Sequence, residues 1–351
     1  MHLKRLGTVI AVAALSFTFL GWLTPTLAKE SPSTLSQQTV LIPPHPHSLY
    51  LPLITNAGPG ANPPVATPTR PPIPLPNYQP TAPIRAAFFY PWFPEAWMQL
   101  GIYPYTNYHP SLGFYSSSDD TIIDQQIAMA AQTHLDAFIS SWWGIGHHTD
   151  TAFQHILARS ERAGSPNPNL RWAIYYEMES MTDPPSTQIV SELQYLAGKI
   201  FNQPAYLRVN GKPVVFVYSD SADNCNMADR WVGAKKAFGG NIYLVLKVFP
   251  GFASCTSQPD SWHQYDPAVD YDQQGTISAV ASPGFWLKGN PVRLARDPVR
   301  FETDVKKVVS SGAIWQLITT WNEWGEGTAV EPATEWGNTY LDILTRNFPS
   351  R

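Results

Sequence analysis

Charged residues are scarce in this sequence. Asp, Glu, Lys and Arg together make up only 14% of the 351 residues, whereas a typical globular chain contains about 25%. The net charge at pH 7 is −4, so the chain lacks the basic excess of a nucleic-acid-binding protein. Hydrophobic residues reach 44%, and this share excludes charge-rich disorder over the whole length.

Cysteine is almost absent as well. Cys225 and Cys255 are the only two cysteines, and two thiolates alone cannot complete a four-ligand zinc site. They do not form a Cys-x-x-Cys motif, so thioredoxin-like redox chemistry has no support. In an exported protein the two could pair, and we name them as a disulfide candidate. Two separate thiols are the alternative.

Signatures of phosphate, nucleotide and metal binding are also lacking. No G-x-G-x-x-G or G-x-x-x-x-G-K-[ST] follows a predicted strand, and no G-x-S-x-G elbow is present. His147 and His148 are adjacent but have no obvious third partner for a metal. Residues 270–272 form a bare Asp-x-Asp, which is a weak sign of a sugar-nucleotide site. We therefore expect no metal and no other cofactor.

Only the N-terminus carries a long apolar run, residues 8–23, which spans 16 residues. Lys4 and Arg5 precede this run and a small-residue site ends at Ala28, a pattern typical of an export signal. A membrane-spanning helix needs about 20 apolar residues. We expect residues 1–28 to be a cleaved signal peptide, with no membrane span left and a secreted or cell-surface location. An uncleaved anchor is the alternative.

Residues 29–84 differ in composition from everything after them. Fourteen prolines lie between Pro43 and Pro83, and Arg70 is the only charged residue from Ser31 to Ile84. Proline removes backbone donors and favours extended chain. We therefore expect a disordered, proline-rich linker here.

Residues 85–351 read as strands alternating with helices. Such alternation predicts parallel strands joined by crossover helices, and the size fits an α/β fold of the (β/α)₈ TIM-barrel type. A doubly wound open sheet is the alternative, and residues 262–291 receive no assignment. The predicted strands are Ala86–Tyr90, Ala137–Trp143, Trp172–Tyr176, Val214–Tyr218, Ile242–Val248 and Trp315–Trp321.

The active site of such a barrel lies at the C-terminal ends of its strands. Here these ends carry aromatic rings, which match the apolar face of a sugar, together with amide and carboxyl groups, which bind its hydroxyl groups. Trp142 and Trp143 are neighbours in a predicted strand, so at most one should face the ligand. The substrate-binding candidates are Tyr90, Trp92, His109, Trp142, Trp143, Tyr176, Glu177, Tyr218, Trp321, Asn322 and Trp324.

Two of the carboxyl groups stand out as catalytic candidates. Glu323 and Glu326 follow the last predicted strand at a spacing that puts both on one side of a turn or helix start. They are interleaved with tryptophan and glycine, which a solvated helix face would not contain. Cleavage of a glycosidic bond usually needs two carboxyl groups, and two close carboxyls push their pKa values apart.

Four segments together resemble the glycoside hydrolase family 99-like group, which contains endo-α-mannosidases and endo-α-mannanases. These segments are residues 89–92, 108–115, 140–144 and 320–332, and the likeness extends over nearly all of residues 85–351. The resemblance implies a (β/α)₈ barrel and retaining cleavage of α-mannosidic bonds inside a chain. It further implies that Glu326 is the general acid/base. Glu323 would act on the sugar's own 2-hydroxyl group, which becomes the internal nucleophile.

One position departs from this group. Characterised members carry His between the Trp and the second Glu, where this chain has Gly325. The Trp-Gly-Glu-Gly-Thr form resembles related domains associated with polysaccharide biosynthesis, and a fungal-type α-1,3-glucanase family has a similar Trp-Asn-Asp signature.

We therefore predict an exported, monomeric glycoside hydrolase whose partner is an α-linked polysaccharide or glycan. The alternatives are a non-catalytic carbohydrate-binding protein, a sugar-transfer protein for cell-surface polysaccharide, and α-1,3-glucan as the substrate.

Overall fold

A computed structural model describes residues 78–220 and 222–350. The signal peptide predicted for residues 1–28 and nearly all of the predicted linker lie outside the described residues. Within the described ranges, no helix combines the length and the apolar character that crossing a bilayer requires.

The described chain is built around one sheet. Its strands follow the spatial order β7-β6-β5-β3-β2-β1-β10-β9-β8, with β4 paired to β5. Pairing is parallel throughout, except that β4–β5 and β8–β9 are antiparallel. The strands are Ile84–Phe89 (β1), Ala137–Trp142 (β2), Arg171–Tyr176 (β3), Arg208–Val209 (β4), Lys212–Val217 (β5), Tyr243–Lys247 (β6), Ser261–His263 (β7), Tyr271–Gln274 (β8), Ser278–Ala281 (β9) and Trp315–Ile318 (β10).

The parallel strands curl into a nearly closed barrel, which confirms the predicted fold class. The remaining gap lies between β7 and β9, which are neighbours without a ladder of backbone pairs. Loop contacts bridge it: Ser282 Oγ donates to the Pro267 carbonyl oxygen at 2.7 Å, and Thr319 Oγ1 donates to that of Tyr265 at 2.7 Å. The β8–β9 hairpin occupies part of the stretch that received no assignment from the sequence.

Helices cover the outside of the barrel. Their starts follow ordinary capping chemistry, because Asp119 and Asp297 each accept hydrogen bonds from two backbone N–H groups of the first turn, and Pro298 opens its helix. The helices are Asp120–Gln132 (α1), His148–Glu161 (α2), Glu179–Thr182 (α3), Ser186–Lys199 (α4), Cys225–Ala237 (α5), Pro298–Ser310 (α6) and Thr339–Asn347 (α7).

The central strands β1, β2, β3 and β10 are buried on both faces, so their sequences are mostly apolar rather than alternating. In β1, Phe88 packs in the barrel interior and Phe89 packs against the helical layer. In β3, Tyr175 faces inward and Trp172 faces the helices. The inward series continues past the strand ends and brings the side chains that follow into the mouth of the barrel.

Two features tie the periphery together. Gln79 Nε2 donates to the Tyr206 carbonyl oxygen at 3.0 Å and its Oε1 accepts from the Arg208 N–H at 2.7 Å. Residues 78–84, which fall in the predicted linker, are thus attached to the folded region. The structure also joins Cys225, at the start of α5, to Cys255 by a disulfide with a Cα–Cα distance of 5.3 Å.

Candidate active site

A cavity opens at the C-terminal ends of the barrel strands. It encloses about 890 Å³, counting the open space at its mouth. Its position agrees with the general rule for barrels of this type. Seven of the thirteen residues predicted for the site line it: Tyr90, Trp92, Trp143, Glu177, Tyr218, Glu323 and Glu326.

A tight loop after β10 carries the two catalytic candidates. The N–H of Thr320 donates to the carbonyl oxygen of Thr328 at 3.0 Å, and Thr328 N–H donates to that of Glu323 at 3.2 Å. Glu323 N–H in turn donates to Thr320 Oγ1 at 2.8 Å. The strand therefore ends earlier than the sequence predicts, at Ile318, and the loop closes on itself so that Glu323 and Glu326 enter the same cavity.

Glu323 is 3% exposed and has two unlike oxygen atoms. Its Oε1 accepts the Glu326 backbone N–H at 3.1 Å, and the Gly325 N–H also bonds the carboxyl group. Its Oε2 is buried and has no hydrogen-bond partner among the described residues. Burial and the nearby charge of Glu326 raise the pKa of Glu323 well above its ordinary value.

Glu326 is held by two tyrosines. The hydroxyl group of Tyr90 donates to that of Tyr265 at 2.8 Å, and Tyr265 donates to Glu326 Oε2 at 3.0 Å. Burial raises the pKa of Glu326 to about 7, against the lowering effects of the Tyr265 hydrogen bond and the charge of Arg293. Close to neutral pH this carboxyl can therefore both give and take a proton.

Glu177 supplies a third carboxyl group. It follows β3 on the inward face and is 3% exposed. Ser141 bonds it, and Trp143 Nε1 donates to Ser141 Oγ at 2.9 Å, so the three residues form a chain at the cavity wall. Glu177 Oε1 is buried without a partner in the described part of the chain. Burial raises the pKa of Glu177 to about 8.

The cavity lining combines aromatic rings with negative charge. The ring of Trp92 lies 4.7 Å from that of Tyr90 and 6.5 Å from that of Trp143, and its buried Nε1 has no acceptor within the described ranges. Burial, then the neighbouring His148, lower the pKa of His147 to about 4, so this ring is neutral at pH 7. Unpaired polar atoms between aromatic walls are what a hydroxyl-rich ligand satisfies.

Trp142 and Tyr176 do not reach the cavity. Both end their strands on the face toward the helices, where Trp142 Nε1 donates to Asp150 Oδ1 at 3.0 Å and the Tyr176 hydroxyl donates to Glu192. The expectation that at most one of two adjacent tryptophans faces the ligand therefore agrees with the structure, and that residue is Trp143.

Trp321, Asn322 and Trp324 are also fully buried and lie beneath the site rather than in it. Asn322 bonds the backbone of Tyr90 on both sides, as acceptor from N–H at 2.8 Å and as donor to the carbonyl oxygen at 3.1 Å. Trp321 and Trp324 donate to the carboxyl group of Glu331 at 3.3 and 3.2 Å. Their placement in the binding set is corrected accordingly: they support the loop.

His109 is the remaining candidate outside the cavity. Its side chain is 65% exposed, and its Nδ1 lies 2.7 Å from Glu335 Oε1 at the surface. A long loop separates His109 from β1, and the position of a residue in such a loop does not determine where its side chain points.

Sequence reasoning missed Glu331 as the support of the loop. This carboxyl is completely buried and accepts hydrogen bonds from Gln126, Tyr115, Trp321 and Trp324 at 2.7 to 3.3 Å. Burial raises its pKa to about 7. Its donors come from α1, from the loop after β1 and from its own loop, so the carboxyl ties these three parts together beneath the cavity.

Further lining residues had no sequence signal or a weak one. Tyr265 lies two residues after β7, but that strand has only three residues and was not recognised. Tyr105 comes from an irregular loop with no periodic pattern. The other lining residues that sequence reasoning did not name for the site are Glu95, Ala96, Gln99, His147, His148, Leu287 and Gly325.

One acidic group in the described chain has side-chain oxygens close enough together to hold a metal: Glu179, Asp183 and Asp223. Glu179 follows Glu177 by two residues, but these three residues lie apart from the cavity lining. Arg230 donates to Glu179 and, at 2.8 Å, to Asp183. A guanidinium already fills the role of the cation there, so these residues do not fit a metal site.

Comparison with known proteins adds sequence and fold relationships. The family described as "Glycosyl hydrolase family 99" matches residues 93–239, and "Glycosyltransferase WbsX" matches residues 290–344, which contain both loop glutamates. The first match supports glycoside hydrolase activity for this chain. Comparison with curated proteins gives no match.

Solved structures of similar fold include the GH99 endo-alpha-mannosidase from Bacteroides thetaiotaomicron. It is 18% identical, with a TM-score of 0.62, and the alignment covers 76% of this chain and 97% of that one. The same enzyme in complex with bis-tris propane gives 20% identity, a TM-score of 0.62 and coverage of 76% and 96%. A "glycoside hydrolase-like protein" is 18% identical, with a TM-score of 0.57, and the alignment covers 81% of this chain and 98% of that one.

At these identities the structural matches establish a common fold. The family match over residues 93–239 adds a sequence likeness to glycoside hydrolase family 99 in that part of the chain.

Proposed function

We propose that this protein is an exported glycoside hydrolase that cleaves α-linked glycans, in the manner of an endo-α-mannosidase. The observation that carries the proposal is the pair Glu323 and Glu326. Both carboxyls enter one aromatic-walled cavity, and Glu323 Oε2 has no protein partner in the described ranges. Two glutamates placed in this way supply the acid and the base that glycoside cleavage needs.

Electrostatics support different roles for the two groups. Two close buried carboxyls repel when both are ionised, so the pair retains a proton near neutral pH. The N–H groups of Gly325 and Glu326 bond the carboxyl group of Glu323 and favour its ionised form. Following the resemblance of this loop to glycoside hydrolase family 99, we assign the general acid to Glu326 and the base to Glu323, so the proton of the pair must reside on Glu326 when the substrate is bound.

The reaction then balances without a further reagent. Glu326 gives its proton to the glycosidic oxygen as the bond to C1 breaks, while Glu323 takes the proton of the sugar's 2-hydroxyl and O2 closes onto C1. Water next opens this three-membered ring at C1 and yields its proton to Glu326. O2 recovers its proton from Glu323. Two inversions at C1 give net retention, and the products are two shorter glycans.

The test is an activity screen on the full chain. We would incubate it with α-mannans, α-1,3-glucan and mannosylated glycans, and measure released oligosaccharides by mass spectrometry. Glu326→Gln should lower turnover by about a thousandfold and retain glycan binding. The matched control is Glu335→Gln, a surface glutamate outside the cavity, which should retain full activity. Full activity of Glu326→Gln would refute the assignment.

A second candidate function has one observation in its favour. The segment that carries both glutamates matches the family named "Glycosyltransferase WbsX". A protein that transfers a sugar to another sugar would use the same two carboxyls with a hydroxyl acceptor in place of water. Longer products in the presence of added acceptor oligosaccharide, without release of free reducing ends, would favour transfer.

Export is part of the proposal and rests on the pattern in residues 1–28 and on the disulfide, since such bonds persist in oxidising compartments. N-terminal sequencing of protein recovered outside the cell tests it. An N-terminus close to residue 29 is the expected result.

A further inference from the structure

Position 325 carries glycine because its surroundings leave no room for a side chain. Its φ is not in the left-handed region, whereas φ of Gly327 is +67°. Alanine could therefore adopt the backbone conformation of position 325. A Cβ atom there would, however, lie 2.9 Å from Glu323 Oε1 and 3.1 Å from Cδ1 of Tyr105. The missing side chain lets an aromatic ring and a catalytic candidate approach each other across the glycine.

Tyr105 is fixed in that position from behind. It is 2% exposed, and its N–H donates to the Trp97 carbonyl oxygen at 2.8 Å. Trp97 is itself buried, stacks on Phe93 at a centroid distance of 4.0 Å and donates from Nε1 to the Tyr115 carbonyl oxygen at 2.8 Å. An anchored ring of this kind presents the same surface to every ligand.

The hydroxyl group of Tyr105 remains available to a ligand. The residue lines the cavity, and its hydroxyl has no hydrogen bond to any residue that the structure describes. Burial and the charges of Glu323 and Glu326 raise the pKa of Tyr105. The phenol therefore stays protonated at neutral pH and can donate a hydrogen bond to a sugar.

We propose that Tyr105 is a specificity-determining residue that binds the same edge of the sugar as Glu323, and that Gly325 makes room for it. This proposal rests on the proposed function, which places Glu323 at the 2-hydroxyl group. Mannose and glucose differ only in the direction of that hydroxyl. Tyr105 therefore distinguishes a manno-configured from a gluco-configured sugar.

The experiment measures binding apart from turnover. In the full chain carrying Glu326→Gln, calorimetry gives the Kd of mannopentaose from α-mannan and of the pentasaccharide from α-1,3-glucan. Adding Tyr105→Phe, which keeps the ring packing, should weaken mannopentaose binding about threefold to tenfold, the effect of one hydrogen bond. Binding of the glucan pentasaccharide should change less than about twofold, because its 2-hydroxyl points elsewhere. The control is Tyr103→Phe, in the same loop but 59% exposed, with no change expected for either sugar.

A double-mutant cycle tests the role of the glycine. Gly325→Ala should weaken mannopentaose binding at least as much as Tyr105→Ala, and the double variant should bind about as weakly as Gly325→Ala, because the ring is already displaced. Strictly additive effects would overturn the link between the two residues.

The outcomes separate the two proposals. If the wild-type chain cleaves glycans and Tyr105→Phe leaves the ratio of the two Kd values unchanged, the role of Tyr105 is refuted and the hydrolase function stands. If the wild type binds mannopentaose, cleaves nothing and Tyr105→Phe changes the ratio, the hydrolase function fails and Tyr105 retains its role. A chain that binds neither pentasaccharide overturns both.

Discussion

Two groups of acidic side chains begin only two residues apart in the sequence and end in different surroundings. Glu177 continues the inward face of β3 into the cavity, where it joins Glu323 and Glu326. Glu179 starts α3 and joins Asp183 and Asp223 in a separate pocket. We refer to them as the cavity group and the α3 group.

The pKa does not distinguish the two groups. Burial raises the pKa of Glu179 to about 7, the same value as for Glu326. The contacts distinguish them. Glu179 is bonded by Arg230 and by Trp231 Nε1 at 2.7 Å, whereas Glu177 and Glu323 each keep a buried oxygen with no partner in the described chain. A buried carboxyl group whose hydrogen bonds the protein supplies has a structural role. A buried carboxyl group that keeps an unbonded oxygen is a candidate for binding a ligand.

The largest expected effect separates the groups by activity. Glu323→Gln should lower kcat about a thousandfold, because it removes a catalytic base, and should keep or raise the melting temperature, because it removes repulsion with Glu326. Glu179→Gln should do the opposite: kcat within about twofold and a lower melting temperature, because Arg230 loses the charge of its buried partner. Steady-state kinetics and calorimetry on both variants provide the measurement. A thousandfold loss in both would erase the distinction.

Glu331 is a further buried carboxyl group, and the protein supplies the hydrogen bonds to both of its oxygens. Glu331→Ala removes the acceptor of four donors beneath the cavity, of which only Trp324 Nε1 keeps another partner in the described chain, the Tyr115 hydroxyl, and should lower the free energy of unfolding by about 3–4 kcal/mol. Urea denaturation measures this quantity, with the partly exposed Glu335→Ala as control. A change below about 1 kcal/mol would show that the hydrogen bonds do not hold the loop.

The open carboxyls should also make stability depend on pH. The pKa of Glu177 is raised to about 8 in the folded chain, so between the ordinary glutamate pKa and pH 8 the folded state binds more protons than the unfolded state. The free energy of unfolding therefore falls as pH rises through this window. Glu177→Gln should flatten that fall. Denaturation of both proteins between pH 4.5 and 8.5 is the measurement, and equal slopes would contradict the assignment.

The smallest effect is expected at the edge of the α3 group. The side chain of Asp183 is 72% exposed and pairs with Arg230, which also bonds the buried Glu179. Asp183→Asn should change the free energy of unfolding by less than about 0.5 kcal/mol, since exposed ion pairs contribute little. A loss comparable with that of Glu179→Gln would show that the α3 group acts as one unit.

Prediction from the sequence succeeded where the position of a residue in a strand determined to which side its side chain points. The inward series of β1 and β3 carried Tyr90 and Glu177 to the cavity, and adjacency ruled out one of Trp142 and Trp143. Prediction failed at Tyr176, which alternation with Glu177 places on the face toward the helices, and where the chain leaves the strand. Because β10 ends at Ile318, alternation no longer applies to Trp321, and that residue lies in the core.

The sequence by itself determined the alternation that makes a barrel and the loop on which Glu323 and Glu326 stand three residues apart. It did so because apolar periodicity and local spacing act over a few residues. Only the tertiary structure decided which carboxyls remain open. Arg230 reaches Glu179 and Tyr265 reaches Glu326 from distant parts of the chain, and whether a buried oxygen is bonded depends on which side chains arrive beside it.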